Sequence, residues 1–504
     1  MWPQGNENQG LKIVLVIGVA CSAMLLALFG SLLSFYGGYA DRRFGLVVLI
    51  TLLLLVGQAF RGAARGTEVT GWVLFCLSIA VSIWLGRDAP NDFVWAEAIL
   101  FPAYLLSVFG FSAFLANHSP FYIKSVLTCI LAGAIFYALL TPSVYLFALF
   151  DGVSRLDQFL PWGFVNIRYW SQVASWILPL LPLALLINPL CDNRLWRLGA
   201  GIAAAIWWWL LLMSSARGSA LSILVGGVFV SLLFGRHAGV WLCALGRQLL
   251  IGGAAWLLLS VLLPLIFLES PEMRTIGTDT SGRIRLWQEA WAMSLVHFPF
   301  GMGGQSWLTH DIITSAYETG KKMGHPHNMY LMWAAEYGWF SILGLTLMGS
   351  GVVYGLFVIR SRVHQYALSS DNKNLIIALT ASTVASACHA GASSVFMAPA
   401  SMLVGLMVLS LFRGALNHPE LFGNRSGKIQ FSGKSLVPRY LTLPVVLSVL
   451  LFWNLEVVRY YQAMTVDRSW YGDNVPQSMQ PRFWAHGNFP RNPELMPQRD
   501  EEAP

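Results

Sequence analysis

Residues 249–268 read LLIGGAAWLLLSVLLPLIFL, twenty positions without one charge. Coiled as a helix they extend about 30 Å, the depth of a bilayer's hydrocarbon core. A soluble core needs no run of this kind. Outward from it, similar runs recur at 11–35, 44–60, 218–233 and 440–453. The chain of 504 residues is 56% hydrophobic and 11% charged, against about 25% charged in soluble domains. It reads as an all-α polytopic membrane protein. Helices are predicted near 11–35, 44–60, 71–86, 93–116, 121–142, 171–189, 197–213, 218–235, 248–268, 331–359, 374–392, 394–413 and 440–457. The apolar continuation to residue 150 leaves a bend at Pro142 open.

Charge sets the expected orientation. The formal charge of +7 is spread over loops, which fits the cytoplasmic bias of Lys and Arg and implies no nucleic-acid partner. With the N-terminus inside, the cytoplasmic connections hold Arg61, Arg65, Lys124, Arg194, Arg197, Arg236, Arg247, Arg360, Arg362, Lys373 and the basic residues of 413–439. The opposite side holds fewer: Arg42, Arg43, Arg87, Arg155, Arg168 and Arg217. Arg42 and Arg43 weigh against this orientation; the others agree with it. The first apolar run is longer than a signal-peptide core and has one basic residue, Lys12, at its start, so it reads as a retained helix. The polar segment 269–330 then faces the periplasm, together with the tail 458–504. That tail has no sustained apolar period and reads as irregular.

Several chemistries lack their residues. The six cysteines show no Cys-x-x-Cys or Cys/His metal spacing. No phosphate loop, zinc-protease helix, nucleophile elbow or dinucleotide fingerprint is present. No Asp-x-Asp pair stands ready to hold a cation on a diphosphate. No cofactor and no metal are expected, and the chemistry rests on Arg and His.

Four outward segments are unusually polar. Ser214-Ser215-Ala216-Arg217-Gly218-Ser219 joins two apolar helices; a snorkelling arginine would explain it, and so would a ligand approaching the small residues. In Asp279-Thr280-Ser281-Gly282-Arg283-Ile284-Arg285-Leu286-Trp287, Asp279 or Ser281 would cap a helix reaching about Leu295. Arg283 and Arg285 then sit in its first turn, where cations oppose the helix dipole but an anion would be welcome. His325-Pro326-His327-Asn328-Met329-Tyr330 precedes an apolar helix. Two histidines alone make a weak metal site. Asn328 suits a cap, and a histidine here can take a proton near neutral pH. Phe164-Val165-Asn166-Ile167-Arg168-Tyr169-Trp170 reads either as an aromatic interface belt or as a further arginine site. Glu97 and His389, ionisable within helices, are functional flags or buried structural partners.

In order along the chain, Ser215-Ala216-Arg217-Gly218, Ser281-Gly282-Arg283 with Leu286-Trp287, Gly301-Met302-Gly303, and His327-Asn328-x-Tyr330-Leu331 with Glu336-x-Gly338 resemble the signature of the O-antigen ligase and Wzy polymerase superfamily. The likeness runs over roughly 160–415. It implies a GT-C-like fold of about 12–13 transmembrane helices with a large periplasmic loop between helices 9 and 10. On that frame, 1–160 are N-terminal transmembrane helices and 161–415 the ligase-like core. Residues 416–439 are a cytoplasmic linker, 440–457 an extra helix and 458–504 a periplasmic tail; the last two depart from the family. The resemblance further implies a metal-independent transfer from an undecaprenyl-diphosphate-linked glycan at the inner membrane. The acceptor would be lipid A–core in a ligase, another repeat unit in a polymerase, or a protein hydroxyl in an O-oligosaccharyltransferase. By motif match Arg217 and Arg283 are its diphosphate arginines and His327 its essential histidine. Arg285, His325, Arg168 and Asn328 are expected as supporting substrate contacts. The competing class, a lipid-linked sugar transporter, would need charges along a path through the helices; Glu97 and His389 are nearly the only ones here.

Overall fold

The computed structural model describes residues 7–33, 35–36, 38–57, 66–87, 91–153, 155–268, 282–318, 323–365, 368–422, 439–474, 481–486 and 489. Asp279 and Ser281, expected as caps, lie outside the described residues, as do Arg61, Arg65, 423–438 of the linker and residues 475–480, 487–488 and 490–504 of the tail. Among the described residues all regular structure is helical, and nine helices are long and apolar enough to cross a membrane. The protein is a multi-pass membrane protein.

Fewer helices qualify than sequence periodicity suggested, for identifiable reasons. Residues predicted as separate spans at 218–235 and 248–268 fall in one helical run, Arg217–Phe267, turned at Gly235. The region 171–189 is not one helix. Ile167–Ile177 gives way to turns before the short Leu183–Leu186, because Pro179 and Pro182 cannot donate to an α-helical ladder. Gly38–Gly57 carries Asp41, Arg42 and Arg43, and Ser370–Ala390 is rich in Ser, Thr and Ala. Two helices run well past their predicted ends. Pro120–Phe150 continues through Pro142, as membrane helices tolerate. The C-terminal helix runs Arg439–Asn474 rather than 440–457. The tail is therefore not irregular from residue 458 onward.

The chain forms two compact units. The first holds residues 1–63, 106–278 and 352–434. Inside it Arg42 and Arg43 are buried. The Arg42 guanidinium donates to the carbonyls of Leu26, Ala27, Gly38 and Gly163 at 2.6–3.2 Å and lies 4.9 Å from the Phe164 ring centre. Arg43 donates to the Met397 carbonyl at 2.6 Å. The two arginines that weighed against the expected orientation are thus interior ties between segments, not loop charges.

The second unit holds residues 64–105, 279–351 and 435–504. Its amphipathic helix Arg283–Val296 buries Leu286, Ala290 and Met293 against Trp307, Leu308, Tyr317 and Ala335. The predicted helix 331–359 is broken in two, Met329–Tyr337 and Trp339–His364. The break is Gly338, at φ +83°, where a Cβ would run into the backbone of Pro299 and Phe300. Only glycine meets both demands at no steric cost.

Candidate functional site

In the second unit, Arg283 and Arg285 occupy the first turn of Arg283–Val296. The residue before them, Gly282, has φ +71° and supplies no side-chain cap. The positive end of this helix's dipole thus carries two cations. Such an end suits an anion. Arg285 folds back, its Nη2 3.4 Å from where a Cβ of Gly282 would stand.

The loop after this helix is tied to Met329–Tyr337. Met302 N–H donates to Ala335 O and Gly303 N–H to Glu336 O, both at 2.9 Å. A Cβ on Gly301 would stand 2.6 Å from the Gly338 nitrogen. The glycines of the Gly301-Met302-Gly303 and Glu336-x-Gly338 strings thus serve a close backbone approach. A second brace is Glu289, whose carboxylate accepts from His310 Nε2 at 3.0 Å, from the Ile313 and Thr314 N–H groups at 2.8 Å, and from the Thr314 hydroxyl. Burial would raise its pKa, but these donors together hold it down at about 2. Both ring nitrogens of His310 face acceptors, since Nδ1 lies 3.1 Å from Trp307 O and 3.2 Å from Ser306 O.

His325 and His327 are buried at the start of Met329–Tyr337. Their rings meet edge to face with centroids 4.3 Å apart, and His327 N–H donates to His325 Nδ1 at 3.1 Å. That bond leaves Nδ1 of His325 as an acceptor and fixes its proton on Nε2. His327 has φ +56°, a conformation that costs a non-glycine residue of order 1 kcal/mol or more and persists only where neighbours enforce it. Asn328 is the N-cap: its Oδ1 accepts from Tyr330 and Leu331 N–H at 3.1 Å. Its carboxamide oxygen is spent on the helix, which makes Asn328 a positioning group for the histidine before it.

The first unit carries Arg217 and Arg168. Arg217 is exposed at the start of Arg217–Phe234, after Ser215 at φ +50°. Next to it, a Cβ on Gly218 would stand 3.3 Å from His389 Nε2. His389 Nδ1 lies 2.8 Å from Ser175 Oγ and 3.4 Å from Ser219 Oγ. The flagged histidine is therefore a neighbour of the arginine turn, held by serines, and glycine at 218 gives it room. Arg168 follows Asn166, which caps Ile167–Ile177 through the Arg168 N–H at 2.9 Å. Tyr169 and Trp170 are buried, with Trp170 stacked on Trp207 at 5.2 Å. They are core packing, not the interface belt their composition suggested.

One buried charged contact escaped sequence reasoning. Arg482, from the tail, is 1% exposed. Its Nη2 meets both Glu336 oxygens at 2.6 and 2.7 Å, its Nε meets Glu97 Oε2 at 3.1 Å, and its Nη1 donates to Gly324 O at 3.2 Å. Glu97 was visible as a charge within a helix; nothing in the aperiodic tail marked its partner. Among the described residues no three His, Cys, Asp or Glu side chains cluster to hold one metal ion.

No curated protein matches the chain. Residues 202–346 match the family model described as O-Antigen ligase. The matched stretch contains Arg217, Arg283, Arg285, His325, His327 and Asn328, and leaves out Arg168, Glu97, His389 and Arg482. It also contains the Gly338 break and the braced loop before it. Over residues 202–346, this multi-pass membrane chain is thus similar to the O-antigen ligase family.

Proposed function

We propose that the protein transfers a glycan from undecaprenyl diphosphate to an acceptor hydroxyl on the periplasmic face of the bacterial inner membrane, with lipid A–core as acceptor. The observation that carries this reading is the helix start at Gly282, bearing Arg283 and Arg285 in its first turn, within the ligase match. The donor's diphosphate gains negative charge as the sugar C1–O bond breaks. Arginine holds phosphate oxygens bidentately and stays charged at any relevant pH. A clamp that tightens on developing charge lowers the barrier, as a metal would. Arg217 enters this reading by motif match, with Arg168 in support.

His327 takes the acceptor proton. The acceptor oxygen forms its bond to C1 while the diphosphate leaves with the electron pair of the breaking bond, inverting the anomeric centre. His325, an acceptor to the His327 N–H, steadies the turn that presents it. The acceptor is tested by the glycans of a deletion strain, resolved on a gel. The expected result is core without long glycan, and polymer still on the lipid carrier. Loss of chain length alone would instead mark a polymerase, and loss of a glycosylated protein with intact lipopolysaccharide would mark a protein O-oligosaccharyltransferase.

A further inference from the structure

The described part of the tail is a built structure. Phe483 and Trp484 are fully buried, and His486 Nε2 lies 2.6 Å from Asp467 Oδ2 on the C-terminal helix. Tyr460 on that helix donates to Phe489 O and stacks on Phe93 with ring centroids 5.0 Å apart. Trp453 Nε1 donates to Ala96 O at 2.9 Å. Helix and tail are therefore fastened to the segment 93–97, and between these fastenings Arg482 points inward.

What Arg482 reaches is the histidine loop. Gly324, whose carbonyl it holds, immediately precedes His325-Pro326-His327. Glu336, which it holds with two hydrogen bonds, lies on the helix that begins just after that loop. Glu336 also accepts from Trp307 N–H at 3.2 Å, and Trp307 Nε1 donates to Met323 O at 2.7 Å. The ring of contacts closes: Glu336 to Arg482 to Gly324, through His325–Asn328, and down the helix back to Glu336. Trp307 supplies a parallel tie one residue upstream. Inside this ring sits His327 in its left-handed conformation, which relaxes unless both ends of the loop are fixed. Asn328 fixes the downstream end and Arg482 the upstream one. The guanidinium is held charged: burial alone would weaken it, but Glu336 and Glu97 outweigh burial and push its pKa up.

We propose that Arg482 is a positioning residue for His327, so that the C-terminal helix and tail, which lie outside the ligase match, complete the active loop from within the same chain. A planar fork is required, because one side chain must engage two carboxylates and a carbonyl in different directions. Lysine can satisfy Glu336 but cannot also hold Gly324.

The proposal rests on the proposed role of His327, so its test includes a readout independent of transfer. Purified full-length protein in detergent is treated with diethyl pyrocarbonate, and modification of His327 is followed by mass spectrometry in the parent, Arg482→Lys and Arg482→Ala. Arg482→Lys is expected to melt near the parent yet label at His327 about tenfold faster, as the loop opens locally. In an assay with purified undecaprenyl-diphosphate-linked glycan and lipid A–core, kcat should fall with donor KM unchanged. The fall should approach about 10²-fold in Arg482→Ala, and Lys should rescue part of it. Unchanged His327 labelling in both variants overturns the proposal, as does failure of both to fold. Faster labelling with unchanged transfer upholds the positioning and overturns the role given to His327 instead.

Discussion

Replacing His327 with asparagine lowers transfer by about 10²- to 10⁴-fold, the usual worth of a positioned general base. Asparagine is the informative substitute. His327 sits at φ +56°, a region that asparagine tolerates better than most residues. The backbone strain that alanine would meet is thereby reduced, while the ability to take a proton is removed. The parent and His327→Asn should therefore unfold alike and differ in kcat. The parent should also lose rate at acid pH, because a protonated imidazole accepts nothing. In the substituted protein that limb should vanish. A shared acid limb, or an unchanged kcat, would remove His327 from the chemistry.

Arg283→Ala is the second large effect. Loss of one charge-stabilising donor costs about 10²- to 10³-fold in kcat. The helix itself should not suffer. A cation in the first turn opposes the dipole, so removing the charge relieves a few tenths of a kcal/mol there. Activity and stability are thus expected to move in opposite directions, which a structural role could not produce. Arg283→Lys should recover only part of the rate, since an ammonium lacks the bidentate fork. Arg283→Ala with full transfer and a lower melting temperature would assign the residue to packing.

The membrane class was legible from runs such as 249–268, because bilayer-length apolarity has few other causes. Boundaries were less so. Gly338 interrupts an apolar helix for a reason that lies in Pro299 and Phe300, far upstream in the chain, and no local pattern carries that. The tail failed for the same reason. Its order comes from tertiary partners, with Arg482 between Glu97 and Glu336 and His486 on Asp467, and periodicity reports only one-sided burial along an element. Arg42 and Arg43 show the converse, charges read as loop markers that are interior ties. At the candidate site, the anomaly of two arginines on a helix start was readable. The pairing of His325 with His327 and the strained backbone at His327 were not.

The central claim is transfer from a lipid diphosphate by arginines and a histidine, and one measurement meets it most directly. The purified protein is incubated with undecaprenyl-diphosphate-linked glycan and lipid A–core in excess EDTA, and ligated product is quantified. The account predicts product at the rate seen without chelator, with free undecaprenyl diphosphate released in equal amount. No product from a well-folded protein, or product lost in EDTA and restored by a divalent cation, would contradict it.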